Sequence, residues 1–465
     1  MSTSRRLSSR GWRILTIAGA LALALTACSS GDTGDTPGSS SSSNGAGGDQ
    51  SSSAPSGDAI KIGILTTCGG PFASFEAESF SGAKYALIKY AGAKADGQQP
   101  QDTVSGASIS GVSIEVSYGC SDATPDKAVS EARRLVESVG VSVLLGPLSG
   151  DEGVAVANYA KSVPGVTFVN GTSGAQSTTL EVDAPNFFRF GGDGAQWMAG
   201  LASYAHDKLG WSRVAILGED YSYPYTLAAG FVKEFCSLGG EIASRSWVPL
   251  DQTDWSSPVA QLPRDVDGVL LLTGGTNTIA AEKAYIQLGQ NPGKTMLGGS
   301  SVMDPTSFTV GKDLVGLTGG SPVPLGGTSP EWTQYVDGIK AEFPDVPADS
   351  LFTVLYYDGM QAILQALDQV GADLSDNQAA FREALTSLDP TFPNGSVTLD
   401  ENRNSIQPAY VVKIVDKDGS LGFEVVKSIK SVDETFGGLF SASDPAPDRN
   451  NPACEAGTPP PWDQG

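Results

Sequence analysis

Six short stretches of this chain group glycine with small hydroxyl, amide or tyrosine residues. They are Thr66-Thr-Cys-Gly-Gly-Pro71, Gly146-Pro-Leu-Ser-Gly-Asp151, Gly171-Thr-Ser-Gly-Ala-Gln176, Gly218-Glu-Asp-Tyr-Ser-Tyr223, Thr273-Gly-Gly-Thr-Asn277 and Gly298-Gly-Ser-Ser-Val-Met-Asp304. Hydroxyls and backbone N–H groups gathered at a helix start can hold a carboxylate through hydrogen bonds and the partial positive charge found there. The same residues also serve as plain turns and N-caps. Groups suited to turnover are sparse. His206 is the single histidine and stands beside Asp207 and Lys208 on a helical stretch, where it reads as solvated. No Gly-x-Ser-x-Gly elbow occurs. Gly289-Gln-Asn-Pro-Gly-Lys-Thr295 is one residue short of a phosphate-binding loop and follows a helical pattern rather than a strand, so the cradle geometry fails. Asp416-Lys-Asp-Gly419 reads as a hairpin turn rather than a calcium loop. With no Cys-x-x-Cys pair, neither a metal nor a cofactor is expected, and the chemistry on offer is reversible binding of a small solute.

The elements that must position these stretches alternate along the chain. Residues 60–65 are a run of aliphatic and β-branched residues that reads as a buried strand. A Gly/Pro turn follows, and from about Ala73 the spacing becomes helical. In open α/β sheets ligands bind beyond the carboxyl ends of the strands, so residues 66–75 are expected to line a pocket. Strands are then predicted at 112–118, 141–145 and 167–170, with helices at 127–138 and 152–162. After an apparent crossover at 186–190 the series repeats. It gives a helix at 196–208, strand 213–217, loop 218–225, helix 226–238, strand 241–247, a helix near 255–262, strand 268–272, helix 279–288 and strand 294–297. Helices are predicted at 331–343 and 351–370. Residues 395–399 and 409–415 flank Asp400-Glu-Asn-Arg-Asn404 like an antiparallel pair, and 441–465 reads as a tail. The expected fold class is α/β, with two doubly wound lobes and a central cleft.

Composition sets the cellular context. Arg5, Arg6, Arg10 and Arg13 precede a largely apolar run at 14–25, which is too short to span a bilayer and is right for a signal-peptide core. Leu25-Thr-Ala-Cys28 resembles the bacterial lipobox, which implies cleavage after residue 27 and lipidation of Cys28. Residues 29–57 are nearly all Ser, Gly, Asp, Thr and Pro, a composition that cannot bury apolar surface and reads as a flexible tether. About 400 residues remain, too many for a single core. The net charge is −23, and it becomes more negative without the basic leader. Such a surface repels nucleic acid and anionic lipid. With Cys28 lipidated, four cysteines allow three pairings. Cys68 and Cys120 each follow a strand, and adjacent strands would bring both to one rim. Cys68–Cys120 is therefore expected, leaving Cys236–Cys454 to pin the tail.

Several segments together resemble one family. They are residues 60–75, Pro125-Asp-Lys-Ala-Val with Ala132-Arg-Arg-Leu-Val, Val143-Leu-Leu-Gly-Pro-Leu-Ser149, Asn186-Phe-Phe-Arg, Leu209-Gly-Trp-Ser-Arg-Val-Ala-Ile-Leu217 and Gly218-Glu-Asp-Tyr-Ser-Tyr223. In order and spacing these resemble the leucine/isoleucine/valine-type (type I) periplasmic solute-binding proteins of ABC importers, over residues 58–423. The resemblance implies two lobes, 58–187 plus 324–393 and 188–323 plus 394–440, closing on a solute. It also implies a carboxylate grip by Ser149 and Gly150 and by Ser173, Gly174 and Ala175. Phe75 falls on the family's aromatic lid and Tyr223 on the tyrosine after the first strand of lobe two. Thr276 and Asn277 stand where the family carries an aromatic. Ser300 stands at or near the acid that holds a solute's ammonium, with Asp304 just beyond. An unpaired ammonium in a closed cleft is costly, so a carboxylate, amide or other small polar solute fits as well as an amino acid. The resemblance implies a monomeric receptor, tethered by lipid on the extracytoplasmic face of the membrane, that delivers its solute to permease subunits. A sensor of the same fold signalling through a membrane partner is the alternative.

Overall fold

The computed structural model describes residues 58–464. The leader, Cys28 and the tether lie outside the described residues. Among those described, no helix is long and apolar enough to cross a membrane.

The first parallel sheet runs Val112–Ser121, Ile60–Thr67, Val143–Leu145, Thr167–Val169, Phe187–Phe188, with the short antiparallel strand Ser108–Ile109 at its edge. The second begins Glu241–Val248, Arg213–Glu219, Gly268–Leu272, Met296–Gly298, Thr318–Ser321. Both sheets place the second strand in sequence outside the first and the third on its other side. Strand order therefore reverses beside the first strand, where ligand crevices form in doubly wound sheets. Each central strand is apolar along nearly its whole length, as strands covered on both faces must be; Gly268–Leu272 is buried throughout. Both sheets lie within one compact body.

The register Thr66↔Cys120 brings the first two strands to a common rim. There Cys68 is bonded to Cys120, while Cys236 is bonded to Cys454. The tail is not free. Besides its disulfide, Trp462 packs edge-on against Phe436, 5.0 Å between ring centres.

The structure departs from the sequence reading in several places. The expected helix 196–208 is two pieces, Gly194–Trp197 and Leu201–Leu209, because Gly200 sits at φ +83° between them. Helix 127–138 is α-helical only over Pro125–Arg133 and continues as a wider turn to Val139. Phe187–Phe188 belongs to the first sheet before the chain crosses over. Residues 395–399 split into two tiny strands. The main partner of Ser405–Lys417 is the unforeseen strand Ser420–Val432, turning at Asp416–Gly419, where Asp416 accepts the Gly419 N–H at 2.7 Å.

At the crossover, Arg189 is fully buried. Its guanidinium donates to Asn404 Oδ1 and to the Ala175 carbonyl, each at 2.6 Å, and pairs with Glu434 at 3.1 Å. A buried charge must be matched this way to be tolerated.

Helix Leu351–Gln369 packs along helix Phe75–Ala91. Gly82 makes this crossing possible: a Cβ there would lie 2.0 Å from the Thr353 carbonyl oxygen. Gly82→Ala must push the two helices apart, and we expect it to lower stability by about 1–3 kcal/mol, measured by denaturant unfolding. A neutral effect would contradict this packing.

Candidate binding cleft

Four loops converge at the two switch points. Phe72 and Phe75 come from the turn after Ile60–Thr67, Leu148 and Ser149 from the turn after Val143–Leu145, and Thr172 from the turn after Thr167–Val169. Tyr221 and Tyr223 follow Arg213–Glu219. With Trp197, Ser301, Leu351 and Phe352 they enclose a cavity of about 10 Å³, enough for roughly one water. Its lining is a nearly continuous aromatic arc. Ring centres are 3.7 Å apart for Phe75–Phe352, 6.0 Å for Phe72–Phe75, 6.1 Å for Phe72–Tyr221, 6.2 Å for Tyr221–Tyr223 and 5.7 Å for Tyr223–Trp197.

The two halves meet closely around this cavity. Helices Gly150–Ala160 and Ser222–Ser237 face each other start to start, and Asp151 Oδ1 accepts the Ser222 N–H at 3.1 Å. Thr226 Oγ1 accepts the Gln176 N–H at 3.3 Å. Glycine permits the approach: a Cβ on Gly150 would lie 2.9 Å from the Tyr223 nitrogen, and one on Gly174 would lie 2.8 Å from the Tyr223 ring.

The polar groups divide into engaged and unengaged. Ser149 Oγ is buried and lies over the Glu152 N–H as a capping residue would, but it makes no well-aligned hydrogen bond. The Oγ atoms of Ser222 and Ser300 are likewise buried without partners. Tyr223 Oη and Ser301 Oγ are bonded at 3.0 Å. Glu152 is held behind the wall, accepting from the Ser149 N–H and from Thr67 Oγ1, both at 3.1 Å. Glu219 accepts from the Asn277 amide at 2.7 Å. Burial pushes its carboxyl up to about 8, while the Asn277 amide and the Gly274 N–H pull it down, so it is largely neutral at pH 7. The residues lining the cavity include no acid and no base.

Of the residues expected to contact solute, Phe75, Ser149 and Tyr223 line the cavity. Tyr223 does so from the first turn of a helix, because Ser222–Ser237 begins four residues earlier than expected. Gly150 and Gly174 are points where the two halves touch. Ser173 Oγ reaches the Gly150 carbonyl at 3.5 Å, and the Ala175 carbonyl serves Arg189. Ser300 is buried beside the lining residue Ser301. Thr276 is exposed, and Asn277 is bonded to Glu219 and to the Leu250 carbonyl; neither lines the cavity. Asp304 does not replace the missing ammonium partner there, since its carboxylate is bonded to Thr306 and Ser350. Among the described residues the one cluster with metal-ligand spacing is Cys68, Glu76 and Cys120, and its two sulfurs form a disulfide. His206 is bonded to Asp207 at 2.7 Å.

Phe72 falls within residues 66–75, the stretch expected to line a pocket, and does so; sequence reasoning missed Leu148, Thr172, Trp197, Tyr221, Ser301, Leu351 and Phe352. Tyr221 lies in a turn already singled out, and alternation with Tyr223 was the available signal for it. Leu351 and Phe352 open a helix whose apolar stripe reads as core. Nothing local distinguished Trp197.

A sequence model of the family described as "Periplasmic binding protein" matches residues 59–420. The chain belongs to the periplasmic binding protein family. That family is one of extracytoplasmic binding proteins rather than enzymes. This periplasmic binding protein is 26% identical over 375 residues to the Leu/Ile/Val-binding protein homolog 6 of Brucella melitensis, spanning 79% of this chain and 90% of that one. It is 25% identical to homolog 7 of Brucella abortus, spanning 73% and 84%. Its architecture is of type I. An ABC-transporter solute-binding protein from Rhodopseudomonas palustris HaA2, in complex with p-hydroxybenzoic acid, superposes with a TM-score of 0.72 at 22% identity, covering 81% of this chain and 98% of that one. The leucine-binding protein of Thermotoga maritima gives 0.66 at 18%, covering 80% and 99%.

Ser149 gives this binding protein a discriminating test. Its hydroxyl is nearly idle in the closed cleft, so Ser149→Ala should change unfolding free energy by no more than about 1 kcal/mol. If Ser149 bonds a charged solute, loss of that hydrogen bond should weaken binding by about 10- to 100-fold. Equal affinity of the two proteins by calorimetry would remove Ser149 from the site.

Proposed function

We propose that this protein is the solute receptor of an ABC importer and that its solute is a small aromatic carboxylate. The observation that carries this reading is the cavity lining: an arc of six aromatic rings, an unengaged hydroxyl at a helix start, and no charged side chain. An aromatic ring gains stacked or edge-on contacts with such walls. A carboxylate finds Ser149 and the start of helix Gly150–Ala160. A free amino acid would leave its ammonium without a counter-charge. Solute-binding proteins of this fold from Rhodopseudomonas palustris hold p-hydroxybenzoic acid and benzoate, in keeping with this assignment. The cavity is too small for such a solute as it stands. The halves, 58–187 plus 324–393 and 188–323 plus 394–440, must part to admit it and close again with its ring between theirs.

Lipidation of Cys28 would hold the monomer at the outer face of the membrane, with residues 29–57 as a tether long enough for docking on the permease. In a lipidating bacterial host, Cys28→Ser should move the protein from the membrane fraction to the soluble extracytoplasmic fraction; unchanged partition would reject the anchor.

A thermal-shift screen tests the solute class. Benzoate or p-hydroxybenzoate at 100 times its Kd should add about 2.7 kcal/mol of stability, with little effect from leucine or isoleucine. The opposite ranking would overturn the aromatic reading in favour of an amino acid.

A further inference from the structure

We propose that Glu78 and Asp304 share one proton across the cleft through Ser350, so that closure on a solute takes up a proton from solvent. This rests on the reading above that the halves part to admit solute. Glu78 lies in the first turn of helix Phe75–Ala91, which follows the first strand of the first sheet. Ser350 caps helix Leu351–Gln369, packed on that helix. Asp304 follows strand Met296–Gly298 of the second sheet and caps the turn Pro305–Val310. Ser350 Oγ is 2.5 Å from Glu78 Oε2 and 2.6 Å from Asp304 Oδ2, and it accepts the Phe352 N–H at 3.2 Å.

Counting hydrogens decides the protonation state. A serine hydroxyl has one proton to donate and two lone pairs. Two carboxylate oxygens at these distances need two protons between them and the hydroxyl. Ser350 supplies one, and one carboxyl must carry the other, donating into the lone pair that Phe352 leaves free. Asp304 Oδ1 is already occupied by the Thr306 N–H and hydroxyl, at 2.9 and 2.6 Å. These two donors stabilise Asp304 as the carboxylate, which makes Glu78 the bearer of the proton. Both side chains are buried, and among the described residues neither forms an ion pair.

The surroundings reinforce the requirement. Half-buried Asp349, adjacent to Ser350, adds a further negative charge, moderated by Lys340 and Lys417. From helix Pro330–Glu342, Tyr335 faces the group with an unpartnered hydroxyl. Burial first, and Asp304 second, push the Glu78 carboxyl well above the usual carboxylate range. Burial also raises Asp304, against hydrogen bonds from Ser350 and Thr306.

The pair is tied to the site by sequence. Phe75 and Ser301, each three residues before one of the acids, line the cavity, as do Leu351 and Phe352 immediately after Ser350. Opening separates Asp304 from Glu78 and Ser350, and the proton leaves at neutral pH. A carboxyl whose pKa is raised in the closed state favours that state fully below the ordinary carboxylate range. The contribution is lost as pH rises through the raised value. Burial also pushes the Glu219 carboxyl up to about 8, so the comparison must be between variants.

Glu78→Gln mimics the protonated acid, with its amide donating to Ser350. Benzoate affinity of the wild type and of Glu78→Gln is measured from pH 5 to 9, with binding heats taken in phosphate and in Tris. The wild type should take up about one proton more per benzoate, and its affinity should fall by up to about tenfold per pH unit relative to the variant. Equal proton uptake and parallel profiles would overturn the proposal. Should benzoate not bind, the solute class fails, and the same comparison is made with leucine, the solute of the rival reading. A wild type that takes up no more protons than Glu78→Gln on binding leucine would overturn the latch. Asp304→Asn serves equally where Glu78→Gln does not fold.

Discussion

Parallel strands deliver all their carboxyl ends to one rim, and reversal of strand order beside the first strand opens a crevice there. Everything at the cavity depends on that constraint acting twice. Each sheet presents its first-strand loop beside its third-strand loop, and the two rims are brought face to face. The first half contributes Phe72, Phe75, Leu148 and Ser149; the second contributes Tyr221, Tyr223 and Ser301. Neither set encloses a solute alone. Glycine at 150 and 174 lets backbone and ring surfaces meet at the seam, which excludes water and raises the worth of each polar contact inside.

The acids near the cleft are turned away from it. Glu152, Glu219 and Asp304 are each bonded to protein groups, and burial pushes the Glu219 carboxyl up. The protein is strongly acidic overall, yet the lining is uncharged. A carboxylate solute would therefore meet hydroxyls and helix starts rather than repulsion. Ser300, which the family resemblance sets at or near the acid that holds an ammonium, is buried without a partner, and Asp304 just beyond it is bonded to Ser350.

Much of this was legible in the sequence because strand runs and glycine-hydroxyl turns are local signals. Residues 60–75 announced themselves by spacing, Ser149 and Tyr223 by the family resemblance, and the rim geometry that paired Cys68 with Cys120 followed from strand adjacency. Phe352 and Trp197 were not legible. A helical apolar stripe looks the same whether it faces a core or a cavity, and only tertiary packing separates the two. The same holds for Asp304: its neighbour in space, Ser350, is 46 residues away along the chain. The hairpin Ser405–Lys417 with Ser420–Val432 was half seen, because its second strand mixes charged and apolar residues with a register shift.

The central claim is that one solute brings two halves together around itself. Small-angle X-ray scattering of the purified chain, alone and with saturating benzoate, tests it most directly. The account predicts that the radius of gyration falls on saturation toward the value calculated for this closed arrangement. A radius that is unchanged while calorimetry registers stoichiometric binding, with the unliganded protein larger than the closed form, would contradict it.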